Sequence, residues 1–157
     1  MAEEDPLTWE DEPYQNFLNN HLLYRAIPKI IWKHWVPDFK IRPSFFITKN
    51  ALEDGLSVDW SKYARPVDTL NRRNNPTLSK WGISKINVGK LKNSIQENNL
   101  PLTIEHKPQR LPPKINRAHT LINGFTISNT TDIRRKIYKL VEWVQGMKPT
   151  LTEESDS

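Results

Sequence analysis

Apolar positions along this chain come in short runs, most with a period of two, separated by polar or proline-bearing stretches. In residues 14–27 (YQNFLNNHLLYRAI), Phe17, Leu18, His21, Leu22 and Arg25 fall three and four apart, which fits a short helix. The last part, LLYRAI, fits a strand equally well, and Pro28 ends either. Residues 29–36 (KIIWKHWV) and 42–49 (RPSFFITK) are rich in β-branched and aromatic side chains and predict two strands. Residues 50–55 read as a loop or a single helical turn. In 56–60, Leu56, Val58 and Trp60 alternate with Ser57 and Asp59, the pattern of a half-buried strand.

Pro66 suits the first position of a short helix, where its missing N–H costs nothing, and 71–77 is a polar loop. Residues 81–88 predict a strand broken by Gly89, followed by a helix over 90–99 with Leu91 and Ile95 on one face. Residues 102–106 and 118–125 predict two more strands. Between them, 107–117 carries Pro108, Pro112 and Pro113 and is expected to form no regular element. Ile133, Ile137, Leu140, Val141 and Val144 make one apolar stripe, so a helix is predicted over 132–145, stopped by Gly146 and Pro149.

The order is mostly strands, with connections too short for many crossover helices. It predicts an α+β fold: a mainly antiparallel sheet packed against a C-terminal amphipathic helix, in a single compact domain. The expected division is an acidic mobile tail at 1–13, a basic domain at 14–148 and a second acidic mobile tail at 149–157.

Composition changes this picture in two ways. Apolar residues are only 36% of the 157, so the six Trp, five Phe and four Tyr must supply much of the core. There is no cysteine, which excludes disulfides, thiol nucleophiles and Cys-ligated metal centres. No run of about 18 apolar residues marks a membrane span, and no apolar stretch follows a basic start. The expectation is a cytoplasmic protein without membrane contact.

Charge is unevenly spread. Nine of the 18 acids lie in 1–13 and 152–157, which hold no base. The 23 bases of 14–151 therefore face nine acids, a surplus of 14 within a chain whose net charge is +5. Such a body attracts phosphate polyanions, while the ends either fold back to screen it or bind a basic protein. The alternative is ordinary surface solvation with disordered tails. Three basic clusters stand out: Lys107, Arg110, Lys114 and Arg117; Arg134, Arg135, Lys136 and Lys139; and Arg72 with Arg73. Trp9 is unusual in an acidic segment and reads either as a partner-binding anchor or as an incidental aromatic.

Phosphate-loop, dinucleotide, zincin, nucleophile-elbow and EF-hand patterns are all missing, and the chain has five glycines. Four histidines remain: His21, His34, His106 and His119. Their spacing suggests no metal site, and no cofactor is implied. Trp32 and His34 would share a strand face, as a base-stacking platform if exposed or as core if buried. His106 and His119 fall on consecutive predicted strands. Paired strands would bring the two rings beside Lys107, Arg110, Lys114 and Arg117, enough for acid–base cleavage of RNA. The competing reading makes each a strand residue with both nitrogens bonded to backbone.

An ordered series over residues 22–124 resembles a set of small bacterial proteins of uncharacterised function. It comprises Leu23-Tyr24-Arg25-Ala26-Ile27, Pro43-Ser44-Phe45-Phe46, Gly55-Leu56-Ser57-Val58-Asp59-Trp60 and Asn116-Arg117-Ala118-His119. The resemblance implies one compact domain and no assigned activity. An Arg in an early strand followed by a Ser-containing strand is also loosely similar to ADP-ribosyltransferase-like folds. That similarity implies roles for Arg25, Ser44 and Glu105, although the usual paired acidic motif is missing. The alternative has Arg25 satisfied by an internal acid such as Asp59.

The residues favour a non-enzymatic binding or accessory protein that contacts nucleic acid, or an assembly containing it, through Lys107, Arg110, Lys114, Arg117, Arg134, Arg135, Lys139, Arg72 and Arg73. One alternative is a small enzyme on RNA or a nucleotide, using His106 and His119 or Arg25, Ser44 and Glu105. Another is a protein-interaction subunit working through its acidic tails and Trp9.

Overall fold

The computed structural model describes residues 4–28, 55–126 and 130–147, with the side chains of 130 and 131 left aside. The strands expected at 29–36 and 42–49, with His34 and Ser44, lie outside the described residues.

The described chain is α+β. Two 3₁₀ turns, Pro6–Thr8 and Tyr14–Asn16, precede eight strands and three helices. The strands are β1 (Leu22–Pro28), β2 (Leu56–Trp60), β3 (Trp81–Asn87), β4 (Thr103–His106), β5 (Gln109–Leu111), β6 (Lys114–Asn116), β7 (His119–Asn123) and β8 (Glu142–Trp143). The helices are α1 (Pro66–Asn71), α2 (Val88–Glu97) and α3 (Thr130–Tyr138). Six strands form one sheet in the order β4-β7-β2-β1-β3-β8, and β5 pairs with β6 as a separate hairpin. Every pairing is antiparallel. No helix among the described residues is long and apolar enough to cross a membrane.

The period-two pattern sets both faces of the sheet. Leu23, Ile27, Leu56, Val58, Trp60, Ile86, Ile104 and Ile122 point to one side, where they bury Phe17, Leu91 of α2, and Ile133 and Ile137 of α3. Tyr24 and Ile83 point to the other and pack on Leu70 of α1, with Leu22, Ala26, Leu78 and Trp81 around them. Aromatic residues fill the centre of the first core. The Phe17 and Trp60 ring centroids are 4.1 Å apart, and His21, Tyr63 and His106 surround the Trp60 indole. A single Trp side chain thus supplies area that this chain lacks in aliphatics.

Three elements differ from the sequence expectation. The helix expected over 132–145 ends at Tyr138, and Glu142–Trp143 pair instead with Lys85 and Ser84. Beyond the helix, Trp143 packs on the first core and Val144 on the second, so adjacent residues serve opposite faces. Only an extended chain does this, and Val141, Trp143 and Val144 favour it. Second, 107–117 does contain regular structure: the β5–β6 hairpin, with Pro112 and Pro113 confined to its turn, where no ladder donor is required. Third, Gly89 lies inside α2, which Asn87 opens by accepting from the Lys90 N–H at 2.9 Å. A Cβ at residue 89 would sit 2.8 Å from the Asn19 carbonyl oxygen, so glycine there allows close approach of two backbones.

Candidate functional site

On the α1 side of the sheet lies a cleft of about 430 Å³. Its floor is Ser57 and Asp59 of β2 and His119 of β7. One wall is Arg72 and Arg73, just past the end of α1; the other is Gln109, Lys114 and Asn116 of the hairpin. The alternation of β2 creates the floor: with Leu56, Val58 and Trp60 buried in the core, Ser57 and Asp59 must face the opposite side. The β2–β7 register sets Asp59 opposite His119.

Asp59 is buried and ties the walls to the floor. Its Oδ2 accepts from Thr69 Oγ1 of α1 at 2.6 Å and from the Arg72 guanidinium; its Oδ1 accepts from Asn116 Nδ2 at 2.8 Å. Asn116 in turn accepts from the Ala118 N–H. A buried carboxylate is tolerated only with such donors. It is also the one acid lining the cleft among the described residues, where Arg73, Lys114 and the remaining N–H groups of Arg72 outnumber it.

His119 faces this space. Its Nδ1 lies 2.7 Å from the Lys107 carbonyl oxygen and its Nε2 2.9 Å from Ser57 Oγ. A carbonyl only accepts, so Nδ1 carries the ring hydrogen and Nε2 accepts from the Ser57 hydroxyl. Arg25 donates from Nη1 to the Ser57 carbonyl at 2.8 Å. Burial, with Arg73 nearby, pulls the Arg25 guanidinium down to about 10.

His106 does not join His119. The β4–β7 register pairs His106 with Thr120, so its ring turns to the first core while His119 turns to the cleft. His106 is 2% exposed, stacked on Tyr63, with Nε2 donating to the Arg117 carbonyl and Nδ1 accepting from the Glu12 N–H. Burial holds its pKa below the ordinary histidine value. His21, accepting at Nδ1 from both the Trp60 indole and the Leu18 N–H, is likewise held down, by burial and by Lys62. Glu105 on β4 is separated from Arg25 by β7 and β2.

The basic residues divide between places. Lys107, Arg110 and Arg117 meet residues 4–12, the segment placed in a tail on sequence grounds. Arg110 pairs with Asp11 at 2.7 Å and donates to the Trp9 carbonyl, Lys107 lies 3.6 Å from Asp11, and Arg117 pairs with Glu4. The Arg117 guanidinium also lies over the Trp9 and Tyr63 rings. Glu12 accepts from Lys62, Tyr63 and Asn16. Burial raises its carboxyl, but those three donors outweigh it and hold the pKa at about 2. Arg72, Arg73 and Lys114 come together at the cleft with His119. Arg134, Arg135 and Lys139 belong to α3 and the residue after it, and α3 packs on the opposite face. No group of three or more His, Asp or Glu among the described residues is placed to hold a metal ion.

The sequence reading did not single out Ser57 as a site residue. Its signal was present in the alternation of 56–60, which put it on the same face as Asp59. What local pattern could not show is that β7 would lie beside β2. Comparison of the chain with protein-family models, with curated proteins and with solved structures finds no match.

Proposed function

We propose that this chain is a nucleic-acid-binding protein whose contact surface is the cleft between α1 and the β5–β6 hairpin, reading the backbone through its phosphates. The observation that carries this is the charge of the cleft: among the described residues Arg72, Arg73 and Lys114 line it, and the one acid there, Asp59, is already taken by three donors. A concave cationic surface with low-dielectric walls concentrates field on a polyanion. The outer side of the hairpin offers less, because Arg110 and Arg117 face carboxylates of the N-terminal segment. Phosphate contact gives affinity without base readout, and this reading assigns no sequence preference.

The test is anisotropy of a labelled single-stranded DNA oligonucleotide titrated with the full chain at several salt concentrations. Three phosphate contacts at about 0.7 each predict a log–log salt slope near −2. The double variant Arg73→Glu, Lys114→Glu should weaken binding at least tenfold and flatten the slope. Affinity indifferent to salt and to that variant would sink the reading.

A further inference from the structure

We infer that Ser57 and His119 form a nucleophile–base pair that cleaves a phosphodiester held in the same cleft. The inference rests on the reading that the cleft takes a phosphate backbone, and adds chemistry to it.

Three features of the pair go beyond an ordinary hydrogen bond between strands. The first is direction: with Nδ1 fixed on the Lys107 carbonyl, Nε2 presents its lone pair to the Ser57 hydroxyl at 2.9 Å. That is nucleophile, base and orienting group in sequence, with a backbone carbonyl as the third member. The second is positioning, since the Ser57 carbonyl is held by Arg25 and Asp59, two residues on, is held by three side chains. Both partners sit on paired strands, which fixes reacting groups better than a loop does. The third is surroundings. Ser57 is exposed on the cleft floor, and Arg73 and Lys114 stand on opposite walls. Fixed cations around a hydroxyl suit the charge that develops on a phosphoryl group under attack.

The step balances within these groups. Ser57 Oγ attacks phosphorus and its proton passes to His119 Nε2. The Oγ–P bond forms, the P–O bond to the departing alcohol breaks in line, and the departing oxygen takes a proton from the Lys114 ammonium. Water then attacks phosphorus from the vacated side and gives a proton to the Lys114 amine. The Oγ–P bond breaks, and Ser57 recovers its proton from His119. The net change is phosphodiester plus water to phosphomonoester plus alcohol.

The experiment uses the full chain with bis(p-nitrophenyl) phosphate and with single-stranded DNA, neither of which has a 2′-hydroxyl to act as its own nucleophile. Turnover should fall at least about 100-fold in Ser57→Ala and in His119→Gln, the usual loss for a nucleophile's base. Both variants should keep the wild-type fold, read by circular dichroism. Lys114→Ala should slow DNA cleavage far more than the first-turnover burst of p-nitrophenolate, which departs without a proton. Acid quenching should trap a phosphoryl adduct on Ser57, read by mass spectrometry. Oligonucleotide binding with no turnover, or turnover equal in wild type and Ser57→Ala, overturns the inference and leaves the binding reading intact. Absence of oligonucleotide binding overturns both.

Discussion

The Asp59 carboxylate accepts from Thr69 of α1, Arg72 beyond α1 and Asn116 of β6, so one side chain of β2 joins the α1 segment to the hairpin. Removing it would leave a guanidinium and an amide without their acceptor. Breaking a buried pair costs about 3–5 kcal/mol, and Arg72 retains 30% of its side-chain exposure, so Asp59→Ala should cost roughly 2–3 kcal/mol in urea denaturation. His21 and His106 act at the same scale through protons. Both are held below the ordinary value of 6.5, so the folded chain favours neutral imidazole and the unfolded chain takes up protons first on acidification. Their contribution is complete above pH 6.5 and is lost as pH falls through the lower folded values. Melting temperature should therefore drop between pH 7.5 and 5, and His106→Gln should flatten that slope; an unchanged slope would exclude His106 as a source.

Among elements, those whose side chains repeat with one clear period were the most legible in the sequence. β2 is read directly from Leu56, Val58 and Trp60, and α1 from Pro66. The hairpin was not legible, because prolines that forbid a ladder in mid-strand are tolerated in a turn, and sequence alone does not say which applies. The end of α3 was hidden for a different reason. Leu140, Val141 and Val144 continue the helical stripe of Ile133 and Ile137, yet two cores lie on either side of residues 143 and 144. The pairing of Ser57 with His119 was hidden in turn by distance: 62 residues separate them, and only the strand order makes them neighbours. Local pattern supplied the faces of the strands; tertiary pairing supplied the cleft.

At the scale of the whole molecule, a basic body carries part of its own counter-charge. Glu4 and Asp11 lie on Arg117 and Arg110, beside the hairpin whose other residues line the cleft. If nucleic acid binds as proposed, neutralising these acids should strengthen it. The double variant Glu4→Gln, Asp11→Asn should tighten oligonucleotide binding several-fold at low salt and by little at high salt, where such pairs are screened. Equal affinity at every salt concentration would show that the N-terminal carboxylates do not tune the contact.

The short strand β8 has a consequence of another kind. Together with Val144 and Met147, which exchange backbone hydrogen bonds with Ile83, it occupies the outer side of β3 from Ile83 to Lys85. A polypeptide cut after Val141 would leave that stretch as a naked border of N–H and C=O groups beside apolar side chains. Residues 142–147 thus guard against self-assembly: without them, two molecules would join border to border and build outward into aggregates.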